Sequence, residues 1–374
     1  MSQLFVDDDF DNGRIEVVDI DQELRRLTTR VPDDDHTQDP QMRFWQFRIR
    51  GLSPGEPVQI CHQPSVDMHY VYSYDRRIWH RFPFRGMSDV TYRFSSSEVF
   101  IAPNIAYPYT RSLELASEMS NSPYVRIQNL AISEGGRAVK LFRITEPSVR
   151  DEGKRIVWVQ GRQHAFESAS SLPPEGLIRW IASSDQTAAA FRRQCIVYVV
   201  PIMDVDNVYL GKSGKDMPRD FNRCWQETAC PWKVIEATCE LLLNLKREGE
   251  SFLGFVDSHS PYFTQGPQWY VASSEKHWEI FRTEFLRQQK KAGCINRHGM
   301  EVESFLAGQP EDTVRSRDFA ATHLSQADDF LALTLESPHH QDSEGRFMME
   351  WGYLQWGEVL GRTFFAYMTR GERA

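Results

Sequence analysis

Two imidazoles and a carboxylate in the second half of the chain have residue types and spacing suited to holding a metal ion. His164 and Glu167 stand three apart in Gln160-Gly-Arg-Gln-His-Ala-Phe-Glu167, directly behind the apolar run Arg155-Ile-Val-Trp-Val159. That run reads as a buried strand. A helix starting behind it, over about 165–183, would set both side chains on one face, where residues three apart are neighbours. A second histidine follows 95 positions later in Asp257-Ser-His259, behind the run Leu253-Gly-Phe-Val256. A close pair with one distant ligand makes a His2Glu set, which leaves the fourth position on zinc open for water. Zinc draws the pKa of bound water down toward about 7 and polarises a carbonyl, so the chemistry served is hydrolysis. Taken alone, an HxxE pair is more often a surface or satisfied polar pair. An isolated Asp-Ser-His is equally a histidine hydrogen-bonded at a strand end.

The elements that must position these residues form two groups. From Arg43 to about Ile144 there are short aromatic and β-branched runs: Phe44–Ile49, Val58–Ile60, Tyr70–Tyr72, Val90–Phe94, Val125–Ile127 and Val139–Ile144. Their period-2 alternation between turns predicts an antiparallel β-sandwich. The first thirty-odd residues, acidic and ending in Val31-Pro-Asp-Asp-Asp-His36, read as a lead-in. After the polar stretch 146–153 the rhythm changes. Buried runs at 155–159, 195–200, 253–256 and 330–335 alternate with helical patterns at 232–248, 275–291 and 347–368. Strands alternating with helices indicate an α/β unit with a mixed central sheet, in which functional groups gather where strands end. The expected division is 1–148 and 149–374.

Composition removes other classes of function. The 374 residues are 41% hydrophobic, 12% aromatic and 25% charged, which suits a chain with a sizeable core. A net charge of -9 argues against nucleic acid or an anionic membrane surface as partner. The start, MSQLFVDDDFDNG, has neither the basic beginning nor the apolar run of a secretory signal. No stretch reaches the roughly 18 apolar residues of a membrane span. Six cysteines without a CxxC pair read as reduced thiols, so the expectation is a cytoplasmic protein.

Five segments in a fixed order resemble the carboxypeptidase A-like zinc metallopeptidases, and their cytosolic carboxypeptidase branch of bacterial type above all. His164-Ala-Phe-Glu167 is similar to the family's His-Pro-Gly-Glu zinc pair. Val200-Pro-Ile-Met-Asp-Val-Asp-Asn-Val208 resembles its Val-Pro, Asn-Pro-Asp-Gly-Val segment. Arg219-Asp-Phe-Asn-Arg223 resembles the Arg-Asp-Leu-Asn-Arg signature, Asp257-Ser-His-Ser260 the segment with the third ligand, and Thr334-Leu-Glu336 the strand that delivers the catalytic glutamate. The resemblance implies a carboxypeptidase-like α/β/α domain behind the sandwich and one zinc ion on His164, Glu167 and His259. It implies that Glu336 takes a proton from the attacking water and passes it to the leaving amine. Asn222 and Arg223 are then the substrate-carboxylate grip, with Arg219 beside them. The expected substrate is the C-terminus of a peptide or protein.

There are departures from the family pattern. Gly211-Lys-Ser-Gly-Lys215 stands where the branch has an arginine that polarises the scissile carbonyl, leaving Lys212 or Lys215 to supply charge. Ala165-Phe166 replaces Pro-Gly. The pocket-capping tyrosine has no clear counterpart, with Tyr262 and Tyr270 as candidates by proximity. Two other functions keep part of this pattern: a zinc amidase acting on N-acylated amino acids, and a partner-binding module with a degenerate metal site. Without the family order, Glu336 would read as a salt-bridged acid at a sheet edge. Glu350 reads as the start of the last helix, and His339-His340 as a surface pair.

Overall fold

Alternating apolar side chains over the first hundred residues produce nine short strands whose inward faces share one core. The computed structural model describes residues 2–33, 42–214, 219–225, 230–260, 268–273, 275–293, 301–302, 314–324, 330–341 and 346–371. The strands are β1 (Phe5–Asp7), β2 (Glu16–Asp21), β3 (Arg26–Arg30), β4 (Phe47–Arg50), β5 (Pro57–Gln63), β6 (Val71–Ser73), β7 (Trp79–Arg81), β8 (Val90–Arg93) and β9 (Glu98–Ala102). One sheet runs β1-β4-β9-β6-β7 and is antiparallel throughout. The other runs β2-β3-β5-β8, and its β3–β5 pair is parallel. Leu27, Phe47, Ile49, Val58, Ile60, Val99 and Ile101 fill the space between them. Two expectations are corrected here. The sandwich is not wholly antiparallel, and the acidic lead-in is folded into it, with β1 on one sheet and β2 and β3 on the other. Apolar residues on outward positions, Phe5 in β1 and Val17 and Val18 in β2, and an inward threonine, Thr29 in β3, break the expected alternation.

The second half supplies α1 (Tyr109–Met119), β10 (Val125–Ile132), β11 (Ala138–Ile144), β12 (Arg155–Gly161), α2 (Leu172–Ile181), α3 (Gln186–Gln194), β13 (Cys195–Val200), α4 (Val205–Tyr209), α5 (Lys233–Arg247), β14 (Ser251–His259), β15 (Gln268–Val271), α6 (Glu275–Ala292), β16 (Glu301–Val302), α7 (Ser316–His323), β17 (Leu331–Glu336) and α8 (Glu350–Gly371). Its sheet is ordered β10-β11-β13-β12-β14-β17-β15-β16. The centre, β13-β12-β14-β17, is parallel and buried on both faces, as its unbroken apolar runs require. β10 and β11 form an antiparallel hairpin that joins this sheet through β11 and β13. The sequence pattern had grouped these two strands with the sandwich, because a hairpin carries the same alternation in either setting.

Helices α2 and α8 approach backbone to backbone. A β-carbon on Gly176 would lie 2.0 Å from the Leu354 carbonyl oxygen, and one on Gly357 would lie 2.1 Å from that of Pro173. The two sheet systems are tied together by side chains as well as by shared core. Arg81 donates to the Met348 carbonyl at 2.8 Å and to Asn104 Oδ1 at 3.0 Å, and Asn104 donates to the His339 carbonyl at 2.5 Å. In register, Gly161 stands opposite Ser258, and His259 opposite Glu336. Three neighbouring strands therefore release their chain ends at one spot.

Candidate active site

Gly161 ends β12, and the chain turns at once through Arg162, which sits at φ +62° and is wholly buried. A left-handed arginine costs on the order of 1–3 kcal/mol, so its surroundings must hold it. They do so through its guanidinium, which donates to the carbonyls of Ala165 at 2.7 Å, Ser168 at 3.1 Å and Tyr107 at 3.4 Å. Burial draws it down to about 9. These bonds bracket His164 and Glu167. The helix expected from residue 165 begins later, as a 3-10 turn at Ser168–Ser171 leading into α2. His164 and Glu167 meet across a tight turn closed by the Glu167 N–H donating to the His164 carbonyl at 3.2 Å. Three-residue spacing serves a turn as well as a helix, which is why the pattern alone misassigns it.

The third group arrives from β14. His164 Nδ1 lies 3.0 Å from Glu167 Oε1, and His259 Nδ1 lies 2.9 Å from Glu167 Oε2. One potential ligand atom from each of the three residues lies within 4.8 Å of the others, all buried. Behind each ring stands a further acid: Asp220 Oδ1 is 3.0 Å from His164 Nε2, and Asp257 Oδ2 is 2.9 Å from His259 Nε2. A carboxylate on one ring nitrogen fixes its proton there and leaves the other lone pair to a metal, so the donor set fits a zinc ion. The electrostatics agree. Burial pulls the His164 imidazole down, but Asp220 and Glu167 outweigh it and hold it at about 9. Burial is likewise outweighed at His259, raised well above the usual range by Asp257 and Glu167. Glu167 is held well below its ordinary value against burial by the two histidines. The pocket is built for positive charge.

Asp257 and Asn222 stitch the surroundings together. Ser316 donates its hydroxyl to Asp257 Oδ2 at 2.6 Å, and Gln163 Nε2 donates to the same oxygen. Asn222 Nδ2 lies 3.3 Å from His259 Nε2, and Asn222 Oδ1 accepts from the Ser316 N–H at 2.9 Å. Asp220 accepts from the Asn222 N–H at 2.7 Å at the start of a 3-10 turn over Phe221–Arg223. Sequence reading missed Asp220, Asp257, Gln163, Ser316 and Arg162 as supporting residues. The only signal for the two acids is their position two residues before Asn222 and His259.

Glu336 closes β17 beside His259. Its Oε2 is buried and has no hydrogen-bond partner among the described residues. Burial pushes its carboxyl up to about 7, helped by Glu167 and Asp257 and opposed by the two histidines. A carboxyl that exchanges a proton near neutral pH is the type suited to general acid-base work. Close by, buried Arg317 donates to Thr334 Oγ1 at 3.2 Å, and its guanidinium lies over the Tyr270 ring, 5.2 Å from the centroid. Arg315 is drawn down to about 10 by burial and by its neighbours Arg223 and Arg317.

Residues 113–240 match the family described as zinc carboxypeptidase, and residues 6–102 match the cytosolic carboxypeptidase N-terminal domain. The chain belongs to the zinc carboxypeptidase family. It is 28% identical over 162 residues to cytosolic carboxypeptidase 6 of Mus musculus, covering 41% of this chain and 30% of that protein. Over 168 residues it is 28% identical to cytosolic carboxypeptidase 2 of Homo sapiens, covering 41% of this chain and 18% of that protein. The match thus spans less than a third of either relative's length. Its fold is similar to that of a metallo-carboxypeptidase from Burkholderia cenocepacia, with TM-score 0.80, 18% identity and coverage of 98% of this chain and 100% of that one. A Pseudomonas aeruginosa metallo-carboxypeptidase, solved in complex with (2-guanidinoethylmercapto)succinic acid, gives TM-score 0.76 and 20% identity, covering 98% of this chain and 99% of that one. At these identities the structural likeness is one of fold.

Against the zinc carboxypeptidase pattern, the remaining expected site residues divide. Arg223 donates to the Asn222 carbonyl at 2.7 Å and Arg219 to the Arg223 carbonyl at 3.3 Å, so both guanidiniums brace their own turn. Lys212 lies in the loop behind α4, its N–H donating to the Asn207 carbonyl at 2.9 Å. Among the described residues, no hydrogen bond or ion pair joins its ammonium to the histidines or Glu167. That loop supports the 164–167 turn through backbone: the Ser213 carbonyl accepts from the Phe166 N–H at 3.1 Å. Gly214, at φ +65°, has no room for a β-carbon beside Asp204 and Ala165. Lys215 and Tyr262 lie outside the described residues. Glu350 opens α8 and pairs with Arg111 at 2.7 Å. His339 and His340 are not a surface pair; both are buried, and burial draws them down to about 4 and about 3. The return of the chain from Glu336 into α8 carries them inward.

Proposed function

We propose that this chain is a zinc-dependent carboxypeptidase that hydrolyses the C-terminal peptide bond of a peptide or protein, with His164, Glu167 and His259 as the metal ligands. The observation that carries this reading is the convergence of two imidazoles and a carboxylate next to the unpaired carboxyl oxygen of Glu336. Bound zinc would supply Lewis-acid polarisation and a more acidic water. Glu336, held near neutrality by burial, takes the proton of the attacking water and returns it to the leaving amine. Asn222 and Arg223 orient the substrate's terminal carboxylate, the planar guanidinium donating two parallel hydrogen bonds to it. Arg219 braces their turn through the Arg223 carbonyl. Arg315 and Arg317 add positive charge beside Arg223 and favour an acidic C-terminal residue.

The site is proposed to lie in a unit beginning near α1, with the N-terminal sheets ending at β9, because β10 and β11 pair into the larger sheet. The cytoplasm is the proposed compartment. The relatives' name is in keeping with it, and no helix among the described residues is long and apolar enough to cross a membrane.

Purified chain should carry about one zinc and release free glutamate from a peptide ending in that residue faster than lysine from its counterpart. Arg317→Ala should raise KM for the glutamate-ended peptide and leave kcat within about threefold. Release from N-acylated amino acids alone would make the chain an amidase. Absence of bound metal would leave a binding module.

A further inference from the structure

Six positions apart, Cys224 and Cys230 gave no sign of partnership in the sequence, since they lack CxxC spacing. In the fold their sulfur atoms stand 2.6 Å apart, just beyond the ~2.05 Å of a covalent S–S bond. Each belongs to a segment already pressed against the other. Cys224 follows the 3-10 turn that carries Asn222 and Arg223, and it bridges to Val314. Cys230 leads into α5 through Trp232, whose ring stacks on Phe221 at 4.4 Å and whose indole N–H donates to the Arg219 carbonyl at 2.8 Å. Cys239 is the nearby competitor. Its thiol is turned to the Trp225 carbonyl, to which it donates at 3.5 Å, whereas the other two sulfurs face each other.

We propose that Cys224 and Cys230 are a reversible modification site: oxidation joins them and latches the Asp220–Arg223 turn to the start of α5. A disulfide of this kind in a reducing compartment is transient and redox-sensing. The oxidant is a low-molecular-weight disulfide such as oxidised glutathione. The Cys230 thiolate, the more exposed of the two, attacks one of its sulfurs and expels one glutathione thiolate, which takes up a proton. The Cys224 thiolate then attacks Cys230 in the mixed disulfide and expels the second glutathione. Two protein S–H bonds are lost, one S–S bond is formed, and one glutathione disulfide is reduced to two thiols. The site does not depend on the zinc reading, because the crosslink needs only the two sulfurs.

The test treats the full chain with oxidised glutathione, then alkylates it in denaturant and maps the peptides. The expected result is a loss of about 2 Da, two fewer alkylated thiols and one crosslinked peptide pair joining Cys224 to Cys230, all reversed by a dithiol reductant. Cys224→Ser should instead retain one glutathione on Cys230. Six alkylated thiols after oxidation, or a crosslink from Cys230 to Cys239, would overturn the proposal. Mapping the wild-type chain decides the matter even where a variant fails to fold.

Discussion

Buried histidines in the two halves of this molecule have opposite electrostatic fates. His62, in the N-terminal sheets, is enclosed by Trp45, Phe47 and Tyr70, and its ring bonds, among the described residues, to the Thr29 hydroxyl at 3.0 Å. Burial alone acts on it and draws it down to about 3, so it is neutral. His164 and His259 are buried too, yet each lies between two carboxylates and is held up. Removing an imidazole from water makes it a structural filler; surrounding it with acids makes a place for a cation. The difference between a packing histidine and a ligand histidine lies in what stands behind the ring.

The contrast can be broken in several ways. His259→Ala should reduce bound zinc from about one per chain to none by elemental analysis, while His62→Gln should leave it unchanged. Zinc surviving His259→Ala would mean the cation is held elsewhere. Glu336→Gln should keep the metal and lower turnover at least about a hundredfold, the low end for loss of a positioned acid-base group. A smaller effect would assign the proton to another group. Asp220→Asn should weaken zinc binding by about 10- to 100-fold in a competition titration against a chelator, since it removes the acid behind His164. Equal affinity would reduce that acid to packing.

The N-terminal side gives a pH prediction. His62 has a folded-state value of about 3 against 6.5 in the unfolded chain, so the unfolded state binds more protons between those limits. Stability from this group is intact above pH 6.5 and is lost as pH falls toward 3, amounting to about 2–3 kcal/mol by pH 4.5. Denaturant midpoints of wild type and His62→Gln, compared at pH 7 and 4.5, should therefore converge as the solution is acidified. Parallel shifts would show that His62 is not the neutral ring described.

Much of this was legible in the sequence, for identifiable reasons. The strand over Cys195–Val200 and the helix over Lys233–Arg247 carry unbroken apolar or helical periodicity, and the expected ranges nearly coincide with the observed ones. The three groups that converge, His164, Glu167 and His259, stood behind apolar runs, but each motif alone was weak and only the resemblance in segment order singled them out. What escaped depends on contacts distant in sequence. Asp257 acquires its role from Gln163 and Ser316, 94 and 59 positions away. The hairpin of β10 and β11 has the same alternation whichever sheet it joins. The turn at 164–167 could not be told from a helix by spacing. The first strands, β1 to β3, lack a clean alternation, with Phe5, Val17 and Val18 turned outward and Thr29 inward.

Asn104 and Arg81 grip the stretch of chain just beyond Glu336 from outside its own sheet. The chain end that carries Glu336 is therefore steadied partly by the half of the molecule that contributes none of the three converging side chains. An excised second half would carry every group named in the chemistry and still lack one of the hands that hold them. Chimaeras that exchange the first hundred residues must bring an equivalent grip with them.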